Sequence, residues 1–143
     1  MLVMKKTILS KRHMILVVLL TFSCKIVAQD YENQFIWKSM HVTASAYNSL
    51  ASQTNSNPNI TAFLDSLTPG LKCIAVSRDL LNLGLKHNTP VKIEGLEGIY
   101  LVKDKMHSKW TKHIDIYMGV DVDAAINWGR KHVKIKYGRP KTN

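Results

Sequence analysis

Cysteine is nearly absent from this sequence: Cys24 and Cys73 are the only two among 143 residues. If the first is lost with a leader segment, no internal disulfide can form, and the fold has to rest on its core. Catalytic and binding signatures are missing as well. There is no HExxH, HxH or CxxC spacing for a metal, no GxSxG nucleophile turn, and no glycine-rich phosphate loop. Acidic residues are few, ten against 20 lysines and arginines. No apolar run reaches the roughly 20 residues that a membrane-spanning helix needs. These absences remove metalloenzymes, P-loop enzymes, serine hydrolases and simple membrane anchors from the first rank of readings. No cofactor is called for.

What is present begins with an export signal. Lys5, Lys6, Lys11 and Arg12 form a positive start, Met14 to Phe22 an apolar stretch, and Ile26-Val27-Ala28 a small-residue cleavage site. Residues 1–28 read as a signal peptide, which predicts an exported protein of the periplasm or cell envelope. Cys24, placed just after the apolar stretch, offers an alternative lipid-attachment point. Five of the basic residues and none of the acidic ones fall in residues 1–28, so the remainder carries +5 rather than +10. That modest charge favours an anionic partner but gives no case for nucleic acid.

The remainder, 115 residues long, reads as one domain. Residues 29–40 are expected to be a linker and 138–143 a basic tail. Between them, short strands are predicted at 41–47, 72–77, 90–94, 98–103, 113–118 and 133–137. Gly95-Leu96-Glu97 joins two of them as a hairpin. Two short helices are predicted, over 79–85 and 121–128. Asp121 can cap the second and Gly129 can end it. Asn48 to Ile60 is polar and reads as a long loop of the kind that often carries function. Six short strands of mixed pattern suggest a small closed barrel. Cys73, inside an apolar run, reads as a buried small hydrophobe.

Three aspartates stand out. Strand alternation places Ile114, Ile116 and Met118 on one face and Asp115 with His113 and Tyr117 on the other. An acid between two isoleucines is costly unless it is solvated or used, and partial burial would raise its pKa towards general-acid range. A solvated edge-strand position accounts for it equally well. Asp104 follows a strand and suits a turn. Asp121 suits a helix cap. The histidines at 41, 87, 107, 113 and 132 lack metal-ligand spacing, and no metal is expected. Trp110 and Trp128, with Tyr47, suit either core packing or stacking on a sugar ring.

The segments Ile74-Ala-Val-Ser-Arg-Asp79, Val91-Lys-Ile-Glu-Gly95, Tyr100-Leu-Val-Lys-Asp-Lys-Met106, Ile114-Asp-Ile-Tyr-Met-Gly119 and Ala125-Ile-Asn-Trp-Gly129 together resemble the three-aspartate (3D) domain family. The resemblance spans roughly residues 41 to 137. It implies a mainly β fold, a six-stranded double-psi β-barrel with two short helices, similar to the catalytic barrel of membrane-bound lytic transglycosylase A. It also implies that Asp104, Asp115 and Asp121 are the three aspartates, with Asp115 as the catalytic acid. The activity implied is lytic cleavage of the β-1,4 bond between N-acetylmuramic acid and N-acetylglucosamine in peptidoglycan glycan strands, leaving a 1,6-anhydro product. Tyr47, Thr54, Thr61, Lys105 and Tyr117 are the implied substrate contacts. A binding module without catalysis and a two-carboxylate hydrolase are the alternatives. The chain departs from the family at Phe63-Leu64, where relatives carry an aromatic residue followed by glycine.

Overall fold

The computed structural model describes residues 29–49 and 59–141. The leader segment 1–28, Cys24 and Thr54 lie outside the described residues. Six strands and two helices follow in order: β1 (Phe35–Tyr47), β2 (Cys73–Val76), α1 (Arg78–Asn82), β3 (Pro90–Ile93), β4 (Tyr100–Lys105), β5 (His113–Tyr117), α2 (Val122–Trp128) and β6 (Lys131–Pro140). Residues 29–33 add a third short helix among the described residues, where two were expected. The fold is mainly β, and the strand order β1-β5-β2-β4-β3-β6 is closed.

Residues 37–139 make one compact unit. In the second, smaller unit, the Lys141 backbone N–H donates to the Gln34 carbonyl at 3.0 Å, and the Tyr31 ring meets Phe35 edge-on.

Two expected boundaries need correction. The linker expected over 29–40 is not one: β1 begins at Phe35, six residues before the predicted start. The basic tail is also shorter, because β6 runs from Lys131 to Pro140. The first part of β1 alternates partly buried Phe35 and Trp37 with exposed Ile36 and Lys38, so the strand pattern starts earlier than expected, and β6 continues past Tyr137 through Gly138, Arg139 and Pro140.

Alternation explains the core. Val42 and Ala44 of β1, Ile74 and Val76 of β2, Val91 and Ile93 of β3, Tyr100 and Val102 of β4, Ile114 and Ile116 of β5, and Val133, Ile135 and Tyr137 of β6 fill the inside. Each fully buried isoleucine contributes about 1.5–3 kcal/mol of transfer free energy. Leu80 of α1 and Leu85 just beyond it close over that core. Gly84 follows the helix at φ +106, a conformation that stops a helix and suits glycine.

β2 and β5 are buried on both faces, because a second cluster of Leu67, Cys73 and Tyr117, joined by Tyr47 and Leu71, covers their outer side. β6 differs, alternating exposed and buried residues over most of its length.

Candidate functional site

The strand registers put four side chains in one row on the outer face. Ser45 of β1 pairs with Asp115 of β5, Asp115 pairs with Ala75 of β2, and Ala75 pairs with Asp104 of β4. Asp104 reaches this row through an irregularity. Ile74 pairs with Val102 but the next residue, Ala75, pairs with Asp104, so Lys103 is an extra residue in β4. A bulge of this kind re-aims side chains and is frequent beside active sites. Without it, alternation from Val102 would turn Asp104 into the core. Two strand spacings separate the two aspartate Cα atoms, about 9–10 Å. Ala75, with the smallest side chain of the row, lies between them.

Asp115 is half-buried, and its pKa is raised. Burial is the main cause, and the negative charge of Asp104 adds to it. The Ser45 hydroxyl, donating to Asp115 Oδ1 at 2.9 Å, works in the opposite direction. A carboxyl so placed holds its proton at a higher pH than a solvated aspartate, as a general acid must. The edge-strand explanation fails here, because β5 lies between β1 and β2.

Asp104 is engaged differently. Its Oδ1 accepts the backbone N–H of Ala62 and of Lys105, both at 2.8 Å. It therefore anchors the segment that runs over the outer face from Asn59 to Leu71. The same segment is held by Asp65, which pairs with Lys103 at 2.9 Å and with His87 at 2.5 Å. Burial acts to raise the Asp65 pKa, but hydrogen bonds from Lys103 and His87 outweigh it and lower it. Phe63 packs on the His87 ring at 4.9 Å. Leu64 sits at φ +66 with 84% of its surface exposed. The turn is left-handed, with leucine in a position that glycine would occupy without strain.

Asp121 is the N-cap of α2. Its carboxylate accepts the Ala124 N–H at 2.9 Å, and its charge is not among those acting on Asp115. The Asn48 side-chain amide donates to the Asp121 carbonyl at 3.0 Å, which ties the end of β1 to the start of α2. The structure thus brings Asp104 and Asp115 into one row and gives Asp121 a capping role.

Tyr47 lies beside this row. Its hydroxyl is buried and has no hydrogen-bond partner among the described residues. Its pKa is raised by burial first, then by the neighbouring Cys73, Asp104, Asp115 and Tyr117, so it remains a neutral donor. A buried donor with nothing to donate to costs about 1–3 kcal/mol, which a ligand acceptor would relieve. Tyr117 packs on the Tyr47 ring at 5.4 Å, but its own hydroxyl pairs with Ser49 Oγ at 2.8 Å. Thr61 is 4% exposed, and its Oγ1 accepts from the Phe63 and Asp65 N–H groups, so it shapes the turn. Lys105 is exposed, with its ammonium over the Phe63 ring at 5.6 Å. Cys73 is fully buried, and burial with nearby negative charge pushes its thiol up to about 12. No group of three or more His, Cys, Asp or Glu is placed to hold a metal among the described residues. No helix among them is long and apolar enough to cross a membrane.

Sequence reasoning missed Ser45 and the role of His113. His113 is 1% exposed, and its Nε2 lies 2.8 Å from Ser45 Oγ. Trp110 packs on its ring at 4.6 Å. Burial, then the positive charge of Arg130, lowers its pKa, so it is neutral. The signal was available in the alternation of β5, which puts His113 and Asp115 on one face.

No family model matches the chain, and no curated protein matches it. Among solved structures it is similar to the apo expansin of Clavibacter michiganensis, with 18% identity, a TM-score of 0.49, and coverage of 74% of this chain and 53% of that one. A point mutant of that expansin in complex with cellohexaose gives 18% identity, a TM-score of 0.39, and coverage of 74% and 52%. The chain spans about half the length of these structures.

Proposed function

We propose that this protein is exported to the cell envelope and cleaves the glycan strands of peptidoglycan as a lytic transglycosylase, with Asp115 as its single acid and base. The closed sheet is read as the double-psi β-barrel of the three-aspartate family. The observation that carries the proposal is the Asp115 carboxyl: raised in pKa by burial, held by Ser45, and neighboured by Asp104 and the unpartnered Tyr47 hydroxyl. In the reaction, Asp115 gives its proton to the leaving glycosidic oxygen. As carboxylate it then takes the proton of the muramic acid 6-hydroxyl, whose oxygen closes the 1,6-anhydro ring. The two transfers return Asp115 to its starting state without water. Tyr47 would donate to a substrate oxygen, and the charge of Asp104 would keep Asp115 protonated.

Binding without cleavage is the second reading. It is favoured by how far the aspartates are committed to architecture: Asp104 holds two backbone N–H groups and Asp121 caps a helix. The same commitment weighs against a two-carboxylate hydrolase, in which Asp104 would have to serve as base.

Incubation of the purified protein with peptidoglycan, followed by mass analysis, separates the three. Anhydro-muramic ends support the proposal, and reducing ends point to hydrolysis. Sedimentation with the wall material without any soluble product leaves the binding module.

A further inference from the structure

Three groups line up at the edge of the aspartate row. His113 Nε2 is 2.8 Å from Ser45 Oγ, and Ser45 Oγ is 2.9 Å from Asp115 Oδ1. A serine hydroxyl carries one proton and two lone pairs. If it donates to Asp115, it can only accept from His113, which must then carry its proton on Nε2. The surroundings favour that arrangement. The neutral state of His113 follows from its burial and from Arg130, and Trp110 packed on the ring restrains its rotation. The His113 backbone N–H is held by Ser77 Oγ at 3.0 Å, which fixes where the strand begins.

We infer that His113 and Ser45 are positioning residues that hold Asp115 Oδ1, leaving Oδ2 as the oxygen that carries and exchanges the catalytic proton. With Oδ1 occupied by a donor, a proton placed there would clash with the serine proton unless the hydroxyl turned away. Turning away would put that proton against the Nε2–H of His113. The arrangement therefore excludes Oδ1 from proton transfer through two consecutive hydrogen bonds, and the carboxyl can exchange protons on one side only. The groups that face Asp115 are consistent with this: Tyr47 and Ser45 come from β1 and Asp104 from β4, and of these only Ser45 donates to it. The identity of the reacting oxygen rests on the glycan-cleaving reading above; the hydrogen-bond chain itself does not.

The test uses the folded domain with and without substrate. Nitrogen NMR of wild-type His113 is expected to show the neutral Nε2–H tautomer at neutral pH. Carboxyl carbon NMR is expected to show the Asp115 titration midpoint rising by about 1 pH unit in Ser45→Ala, because a donor to the carboxylate is lost. Ser45→Thr keeps the hydroxyl and is expected to restore the wild-type midpoint. In the cleavage assay, Ser45→Ala is expected to lose about tenfold to 100-fold in kcat with little change in KM, the scale of a mis-set catalytic group. A charged or Nδ1–H His113 overturns the inference, and so does a Ser45→Ala midpoint that matches wild type. A wild-type protein that shows the tautomer and the shift but cleaves no glycan keeps the hydrogen-bond chain and removes the lytic reading instead.

Discussion

Two stretches of the same closed sheet share one construction rule and end in opposite conditions. On β1, β5, β2 and β4 the outer face is roofed by the segment from Asn59 to Leu71 and by Tyr47 and Tyr117, and the row Ser45, Asp115, Ala75, Asp104 lies beneath. On β3 and β6 the outer face is largely open. There Lys92 stands directly opposite Lys136, and Lys134 is exposed nearby. Both stretches carry charged residues on alternating positions above the same kind of apolar interior. What separates them is the cover. A charge under a roof loses hydration and shifts its proton affinity, whereas a charge in water keeps its ordinary behaviour. Chemistry is therefore expected on the roofed wall alone.

Removal of the acid gives the largest effect. Asp115→Asn is expected to lower glycan cleavage by about 100-fold to 10,000-fold while sedimentation with peptidoglycan persists. Asn keeps the acceptor for Ser45 but cannot exchange a proton. The same variant is expected to be more stable than wild type at pH 7. Since the folded pKa of Asp115 lies above its unfolded value near 3.9, the ionised buried carboxylate costs stability above the folded value. That cost disappears as pH falls towards the unfolded one. Thermal melts at pH 7 and at about pH 4 should show the gain and then its loss. Near-full activity in Asp115→Asn ends the single-acid mechanism.

Asp104 tests whether the two carboxyls communicate across Ala75. In Asp104→Asn the side-chain oxygen still accepts the Ala62 and Lys105 N–H groups, but the charge is gone. Since that charge helps to raise Asp115, the acid should ionise more easily, and the alkaline limb of the activity profile should move to lower pH. A fall in activity of about tenfold at neutral pH is expected. An unmoved pH profile means that the row is only a structural coincidence.

Much of this was legible before the structure. Alternation in Ile114-Asp-Ile116 separated the acid from the core face, and the Gly95-Leu96-Glu97 hairpin and the Asp121 cap follow from local turn and capping chemistry. Other features were not legible, for definite reasons. The start of β1 at Phe35 is hard to read because the alternation of Phe35-Ile36-Trp37-Lys38 slips at the exposed pair Lys38-Ser39. The bulge at Lys103 is a property of two strands together, so no single segment announces it, yet it alone turns Asp104 outward. Ser45 gave no signal because its role depends on a register partner 70 residues away. Thr61 and Tyr117 are substrate contacts implied by the resemblance alone, and the structure commits their hydroxyls to the Phe63 and Asp65 N–H groups and to Ser49.

The roof has a weak point of its own. Leu64 occupies a left-handed conformation that costs a non-glycine residue about 1–2 kcal/mol. It is 84% exposed, so little packing offsets the cost. Leu64→Gly is expected to stabilise the domain by about 0.5–1 kcal/mol, after the greater chain entropy of glycine in the unfolded state is subtracted. Chemical denaturation measures it. A loss of stability would mean that the leucine side chain holds the roof in place.

The smallest effect is expected on the open wall, and it completes the contrast. Lys92 and Lys136 face each other across β3 and β6 in direct register. Like charges opposite one another on neighbouring strands destabilise by a few tenths of a kcal/mol, and an opposite pair reverses the sign. Lys136→Glu should therefore raise stability by about 0.2–1 kcal/mol at low salt, with the gain shrinking as salt screens the pair. Cleavage kinetics and the Asp115 titration should stay at wild-type values, because Lys136 lies on a strand outside the aspartate row. A charge reversal there that moved the Asp115 midpoint would show that the field reaches across the sheet. Cover by the Asn59–Leu71 segment would then no longer explain why the carboxyl of raised pKa, Asp115, lies on the roofed wall.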